Sequence, residues 1–162
     1  MINRRNLIGA GVLGVGGATA AFANPSSAPM LGAPAISRNR RRFNMVTTWP
    51  KGLPGLGEAA ERVAQRISDM SDGAMEVKVY AAGELVPPFE SFDAVANGSA
   101  DMYHAAEYYW TAKSTAYPFF TAVPFGMTAQ ELMGWIDFGG GQALWDELSA
   151  QFGIKSIQAA NT

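Results

Sequence analysis

Cysteine is absent from the 162-residue sequence, which excludes a disulfide framework, a thiolate nucleophile, a lipid-modified cysteine and any metal site built on cysteine. Histidine occurs once, as His104, so no pair of histidines can bind a metal. The length suits one domain and is short for two. The hydrophobic fraction of 48% and the charged fraction of 16% are typical of a globular protein, so general disorder is not expected.

Acidic residues are missing from residues 1–42, which contain six arginines. The remaining 6 basic residues and all 14 acidic residues follow from residue 43 onward, giving that part a formal charge of −8. Because nucleic acid attracts positive surfaces, we expect no nucleic-acid partner for the folded part. The run Arg40 to Arg42 could contact anionic lipid or nucleic acid, but we expect a solvated tail.

The amino terminus has the pattern of an export signal. Arg4 and Arg5 precede an apolar, glycine-rich stretch that ends in AFA, a sequence suited to signal peptidase. The paired arginines resemble a twin-arginine signal, so we expect export to the periplasm. A membrane anchor is the alternative, although the stretch is short for a span and rich in glycine. We assign residues 1–23 to the signal peptide and the Pro-, Ala- and Arg-rich residues 24–42 to a linker.

Strands and helices alternate from residue 43 onward, within the predicted lobe 43–162. Strands are predicted at 43–48, in AMEVKVYAAG and at 102–105. In the second strand, the alternation directs one set of side chains toward the core, namely Met75, Val77 and Val79. Strand, helix, strand, helix, strand is typical of parallel βαβ units, so we expect a largely parallel sheet covered by helices with right-handed crossovers.

Two helices are predicted between these strands. The first carries an apolar stripe of 3.6-residue period and ends near Gly73; its members are Leu56, Ala59, Ala60, Val63, Ile67 and Met70. The second is short and ends at Asn97-Gly98, with three residues predicted to face inward: Phe89, Phe92 and Val95. After an irregular aromatic segment, two more helices are predicted in TAQELMGWIDFG and GQALWDELSAQFG, followed by a final strand at 154–158.

His104 and the run Gly139-Gly140-Gly141 are the remaining candidates for chemistry. His104 lies near Asp101 and Glu107, but the sequence shows no nucleophile pattern to accompany it, and a structural hydrogen bond is the alternative interpretation. The glycine run lacks the Lys-Ser/Thr of a phosphate loop, so we expect a hinge or helix breaker. An enzyme that uses His104 with a nearby acid stays an alternative.

Aromatic residues follow two of the predicted strands. Trp49-Pro50 comes after the first strand and Glu107-Tyr108-Tyr109-Trp110 after the third. Ligands of open α/β sheets bind outside the carboxyl ends of the strands, so these residues predict a ligand site with apolar walls and orienting hydroxyl or N–H groups. The alternative is that the rings pack the loops against the sheet.

A carboxylate-binding guanidinium is not evident. After residue 43 the arginines are Arg62 and Arg66, four residues apart on the first helix and predicted to face water. A carboxylate ligand favours a bidentate arginine in its pocket, so the sequence as given does not supply this contact.

The succession of TTWP, AGEL, FDAVANGSADM, YYW and PFFTAVPFG resembles solute-binding proteins of tripartite ATP-independent periplasmic (TRAP) transporters. Within that family it is most similar to the subgroup that binds 2-oxo acids such as pyruvate, and the similarity covers residues 42–162. The resemblance implies the first lobe of a two-lobed, type II periplasmic-binding-protein-like α/β fold, incomplete without the second lobe. It also implies hinge closure on an organic acid and delivery to membrane permease subunits.

The resemblance further implies that the carboxylate-binding arginine, and the residues around a bound sodium or calcium ion, come from a segment after residue 162. No cofactor is evident in the sequence itself. We expect Trp49, Tyr108 and Tyr109 to form the first-lobe wall and to donate hydrogen bonds, with Glu107, Trp110 and Phe125 as further candidates. A non-catalytic structural or interaction module stays an alternative, and a homodimer stays open.

Overall fold

The computed structural model describes residues 40–159, which contain three strands and four helices. The predicted signal peptide and most of the predicted linker lie outside these residues. The elements are β1 (Arg41–Thr47), α1 (Leu56–Met70), β2 (Met75–Tyr80), α2 (Ser91–Ala96), β3 (Met102–His104), α3 (Ala129–Phe138) and α4 (Gly141–Ala150). Short 3₁₀ turns lie at Pro88–Glu90, Glu107–Trp110 and Tyr117–Phe120.

The sheet is parallel and has the strand order β2-β1-β3, which confirms the predicted βαβ pattern. Met45 of β1 pairs with Val79 of β2 and with Met102 of β3. Because β1 has a neighbour on both sides, its second half is buried at Met45, Val46 and Thr47. All three strands run in the same direction, so their carboxyl ends meet at one edge of the sheet.

Helix α1 packs its smallest residues closest to the sheet. Ala59, Ala60 and Ala64 are buried, while Val63 and Ile67 are half-buried. Met70, predicted to lie in the apolar stripe, is 89% exposed. Met70 is the last residue of the helix, three residues after the half-buried Ile67.

The largest core cluster gathers around Phe92, which is 1% exposed and contacts the rings of Tyr103, Trp110, Tyr117 and Phe152. This placement confirms the inward prediction for Phe92. The prediction for Phe89 is wrong, since its side chain is 63% exposed. Phe89 belongs to the 3₁₀ turn before α2, so the 3.6-residue period of the helix does not extend to it.

Helices α3 and α4 form a second cluster, which stacks Phe120 against Trp145 at a centroid distance of 5.2 Å. Thr128 and Glu131 form a reciprocal capping box at the start of α3. Between the helices, Gly140 has a φ of +87°, and a Cβ on Gly141 would lie 2.8 Å from the ring of Trp135. The glycine run therefore breaks the helix, as predicted, and it also lets α4 approach α3.

Three predictions about the strands are wrong: the start of β1, the orientation of Met75 and the last strand. β1 begins at Arg41 instead of Phe43, because the backbone pairing with β2 extends to Arg41 and Arg42, opposite Met75 and Glu76. The exposed side chains of Arg42 and Glu76 also form a 3.0 Å ion pair. Met75 is 43% exposed because it starts an edge strand. The predicted last strand at 154–158 is not formed.

The 154–158 segment is held by helix α4 instead of by a neighbouring strand. Gln142 Nε2 donates to the carbonyl of Ser156 at 2.8 Å, and Lys155 forms an ion pair with Asp146. A strand requires backbone partners on a neighbouring strand, and here side chains of α4 take that place. No helix in the described part of the chain is long and apolar enough to cross a membrane.

Replacing Phe92 by alanine is expected to lower the free energy of unfolding by about 3–5 kcal/mol, because the substitution leaves a cavity among four aromatic rings. Chemical denaturation followed by circular dichroism measures this loss. Phe138→Ala is the matched control, since Phe138 is 91% exposed and its loss should change stability by no more than about 0.5 kcal/mol. Equal effects of the two substitutions would contradict the assignment of the core.

Candidate ligand-binding site

The loops after the three strands meet at Trp49, and we call this edge of the sheet the strand-end face. The Trp49 indole contacts the His104 ring edge-on at a centroid distance of 5.3 Å. The backbone N–H of Ala82, just after β2, donates to the Trp49 carbonyl at 2.9 Å. Trp49 therefore joins the ends of β1, β2 and β3.

The turn at Trp49 is fixed by its neighbours in sequence. The Thr47 hydroxyl donates to the Trp49 carbonyl at 2.9 Å and accepts from the Trp49 N–H at 3.3 Å. A Cβ on Gly57 would lie 2.7 Å from the Pro50 carbonyl oxygen, so the start of α1 can approach the loop only with glycine at this position. The TTWP sequence thus forms a rigid turn.

The space behind this turn is too small for an organic acid. A cavity of about 10 Å³ lies between the β1 and β2 loops, lined by Trp49, Lys51, Glu61 and Glu84 among others. This volume holds about one water molecule. Trp49 is itself 7% exposed, so its indole lies mostly against protein rather than on an open wall.

The EYYW sequence forms the 3₁₀ turn Glu107–Trp110 directly after β3. Glu107 and Trp110 are buried, whereas Tyr108 is 42% exposed and Tyr109 is half-buried. The two tyrosine rings contact each other edge-to-face at 4.8 Å, and the hydroxyl of Tyr109 raises the pKa of Tyr108. Of the four residues, Tyr108 and Tyr109 are the ones that a ligand at the surface could reach.

Trp110 belongs to the core. Its indole N–H donates to the Phe89 carbonyl at 3.0 Å, and its ring packs on Phe92 and Tyr103. The alternative interpretation, in which an aromatic ring packs the loop against the sheet, therefore describes Trp110.

Glu107 is buried among hydroxyl groups. Its Oε1 accepts a hydrogen bond from the Tyr103 hydroxyl at 2.9 Å and a longer one from the Ser156 hydroxyl at 3.4 Å. Burial raises the pKa of Glu107, and hydrogen bonds from Tyr103 and Ser156 together with the nearby indole of Trp145 act in the opposite direction. Nothing in the sequence pattern distinguished this buried acid from the exposed ones.

Phe125 is fully exposed, with a backbone φ of +59°. Within residues 40–159, no ring contact joins it to Trp49 or to the two tyrosines. The structure does not gather Phe125 with the other predicted residues.

His104 is buried at the end of β3 without an acid beside its ring. The carboxylate of Asp101 accepts from the Asn44 N–H at 2.7 Å, and Glu107 bonds to Tyr103 and Ser156. The Nδ1 atom of His104 has no hydrogen-bond partner among the described residues, and burial lowers the pKa of His104. A His-acid pair, which the enzyme alternative needs, is not formed in this part of the chain.

A carboxylate ligand could be bound by an arginine or by a metal ion in a cluster of metal-binding side chains. Arg62 and Arg66 are exposed on α1, as predicted, and Arg62 pairs with Glu58 at 3.6 Å. No group of three His, Asp or Glu residues between 40 and 159 could hold a metal ion.

The sequence matches the family described as bacterial extracellular solute-binding protein, family 7, over residues 45–162. The chain belongs to this family. A monocarboxylate 2-oxoacid-binding periplasmic protein of Nostoc sp. strain PCC 7120 is 40% identical over 121 residues, which cover 75% of this chain and 33% of that protein. The resemblance to TRAP solute-binding proteins is thereby confirmed, and the family consists of binding proteins and not of enzymes.

Solved structures of family members have the same fold. One is a TRAP periplasmic solute-binding protein of Pseudoalteromonas atlantica T6c with bound sodium and pyruvate. It superposes with a TM-score of 0.71 at 37% sequence identity, and the match covers 73% of this chain and 36% of the Pseudoalteromonas chain. A TRAP solute-binding protein of Bordetella bronchiseptica RB50 gives 0.70 at 34% identity over 72% of this chain and 34% of that one; it is a mixed-occupancy dimer with calcium and picolinate. The chain spans about a third of the length of these relatives.

His104 is expected to titrate below its ordinary pKa of 6.5, because burial disfavours the charged imidazole. As the pH falls below 6.5, the unfolded chain takes up this proton before the folded chain does, so the free energy of unfolding decreases. Because His104 is the sole histidine of the sequence, one NMR imidazole signal reports its midpoint.

The control for this titration is His104→Gln, compared with the original chain by denaturation at about pH 7.5 and about pH 5.5. The variant should lose less stability between the two pH values than the original chain does. A midpoint at or above 6.5 would contradict the buried, neutral state of His104.

Proposed function

We propose that residues 43–162 form one lobe of a periplasmic solute-binding protein that captures a small 2-oxo acid, such as pyruvate, for uptake by a TRAP transporter. The observation that carries this proposal is the family match together with 37% identity and a shared fold with a protein that binds pyruvate. The exposed tyrosine pair at the strand-end face is the surface on which the acid would bind.

Tyr108 and Tyr109 are the proposed hydrogen-bond donors to the acid. Their hydroxyl groups suit a carboxylate or keto oxygen, and their rings suit its methyl group. Trp49 supports this face from the end of β1, where its carbonyl and N–H are already bonded within the turn. Glu107, Trp110 and Phe125 are weaker candidates for contact, since the first two are buried and the third is fully exposed without a ring contact to Trp49, Tyr108 or Tyr109 in the described part of the chain.

The charge of the acid requires a partner that the described residues do not provide. In the Pseudoalteromonas relative sodium accompanies pyruvate, and in the Bordetella relative calcium accompanies picolinate. We propose that a cation and a second lobe complete the site around the acid. Contacts from both lobes would then favour a closed state, which the permease subunits recognise. Because the Bordetella relative is a dimer, a homodimer is the assembly to test by light scattering.

Pyruvate is expected to bind the 162-residue chain at least ~100-fold more weakly than it binds the Pseudoalteromonas relative, because losing a buried charged contact typically costs several kcal/mol. Isothermal titration calorimetry measures both affinities in the presence of sodium. Equal affinity would show that one lobe suffices for binding.

A chimera tests whether this lobe can serve as a wall of the site. Residues 43–162 replace the matched third of the Pseudoalteromonas relative, and pyruvate binding should return to within ~10-fold of that relative's affinity. In the chimera, Tyr108→Phe keeps the ring and removes the hydroxyl, so it should weaken binding by about 10-fold, the loss expected for one good hydrogen bond. Tyr80→Phe, in β2, is the matched control. A folded chimera that gives no heat with any 2-oxo acid would refute the proposed ligand class.

Export is expected to depend on the paired arginines near the amino terminus. Arg4→Lys combined with Arg5→Lys should hold the chain in the cytoplasm, because the twin-arginine route requires both guanidinium groups. Cell fractionation measures the distribution. Arg41→Lys combined with Arg42→Lys is the control, since those arginines lie in β1. Unchanged export of the first variant would exclude the twin-arginine route.

A further inference from the structure

The EYYW turn divides into two inner and two outer residues. In a 3₁₀ turn the side chains at positions i and i+3 lie on the same side, which here applies to Glu107 and Trp110. These two residues are 5% and 4% exposed, whereas the intervening Tyr108 and Tyr109 reach the surface. The buried side chains of Glu107 and Trp110 therefore fix the turn in place, and the turn sets the positions of Tyr108 and Tyr109.

The inner residues use different interactions. Trp110 is held by aromatic packing and by its hydrogen bond to the Phe89 carbonyl. Glu107 is held by polar contacts from three other segments of the chain, namely Tyr103 in β3, Ser156 after α4 and Thr121, whose hydroxyl accepts from the Glu107 N–H at 3.1 Å. Glu107 thus connects the start of the turn to three other segments through polar contacts.

The contact to Ser156 extends to helix α4. The hydroxyl groups of Ser149 and Ser156 lie 2.9 Å apart, and both residues are buried. Since Ser156 donates its proton to Glu107, Ser149 is the donor to Ser156. A continuous chain of hydrogen bonds therefore connects α4, the 154–158 segment and the turn that presents the tyrosines.

A buried carboxylate at position 107 lowers the stability of the fold if its only role is to pack against its neighbours. The Oε2 atom of Glu107 is buried and has no hydrogen-bond partner among the described residues. Burying a charged group without full pairing destabilises a protein, whereas an apolar residue would fill the same space at no such cost. Unlike an apolar side chain, the Glu107 carboxylate can accept hydrogen bonds in a defined direction from donors in separate segments of the chain.

We propose that Glu107 is a positioning residue for the Tyr108–Tyr109 pair, which it holds by accepting hydrogen bonds from Tyr103 and Ser156, and that it does not itself touch the ligand. The geometry of the turn does not depend on the proposed function, whereas the role of the two tyrosines in ligand binding rests on it. This assignment replaces the sequence-based expectation that Glu107 is a ligand contact.

Protonation of Glu107 should change the position of the turn. The titratable groups that face its carboxylate are the phenols of Tyr103 and Tyr117, and burial keeps both protonated, raising the pKa of Tyr117 to about 12. The other neighbours, Trp145 and Ser156, carry no charge. Since the pKa of Glu107 is raised above its ordinary 4.5, the unfolded chain ionises first, and stability decreases as the pH rises through the interval between the two values.

The test follows the ring signals of tyrosine by NMR in the 162-residue chain, with labelled tyrosine and no ligand. As the pH rises from about 4 to about 8, the signals of Tyr108 and Tyr109 should shift with a single midpoint above 4.5. The signal of Tyr80 in β2 is the internal control and should not share that midpoint. In Glu107→Gln, which keeps the shape and removes the titration, the shift of both tyrosines should be lost.

Tyr103→Phe provides a second variant that does not alter Glu107. It removes a hydrogen bond that favours the ionised carboxylate, so the common midpoint of Tyr108 and Tyr109 should move to higher pH. The proposal is overturned if the two tyrosine signals do not titrate while that of Tyr103 does, or if their shift persists in Glu107→Gln. Because no ligand is present, either failure leaves the proposed 2-oxo acid function untouched, and the calorimetry tests that function separately.

Discussion

The parallel pairing of β1 with both β2 and β3 is the constraint on which the rest of this structure depends. It places β1 at the centre of the sheet, where Met45 and Val46 are buried, and it brings the carboxyl ends of all three strands to one edge. Loops far apart in sequence consequently meet there, with Trp49 against His104 and Ala82. The strand-end face exists because the segments that contain α1 and α2 return the chain to the amino-terminal edge of the sheet before the next strand begins.

On this face, apolar contacts hold Trp110 and polar contacts hold Glu107. Rings around Phe92 pack against Trp110, whereas the hydroxyl groups of Tyr103 and Ser156 donate hydrogen bonds to Glu107, and Ser149 bonds to Ser156. Aromatic packing tolerates a range of angles, while a carboxylate that accepts hydrogen bonds from two sides has a defined direction. The combination explains how a turn of four residues can present two tyrosines in one orientation.

Much of the fold could be predicted because it depends on local patterns. The parallel sheet, helix α1, the helix break at Gly140 and the inward side of Phe92 all follow from periodicity or from backbone preference. Phe89 was misplaced because a 3₁₀ turn precedes α2, which changes the angular spacing of the side chains. The 154–158 segment was misassigned because an extended, alternating sequence does not specify whether a strand or a helix side chain will bind its backbone.

The sequence by itself determined the class of fold, the family and the location of the aromatic residues after strands, because these depend on spacing along the chain. Only the tertiary structure decided which of those residues face out. In EYYW all four side chains were candidates for ligand contact, with the two tyrosines preferred, and in the structure Glu107 and Trp110 point inward and Tyr108 and Tyr109 outward. The physical reason is that burial and hydrogen-bond partners come from β3, α2 and the 154–158 segment, whose approach to the turn no local pattern encodes.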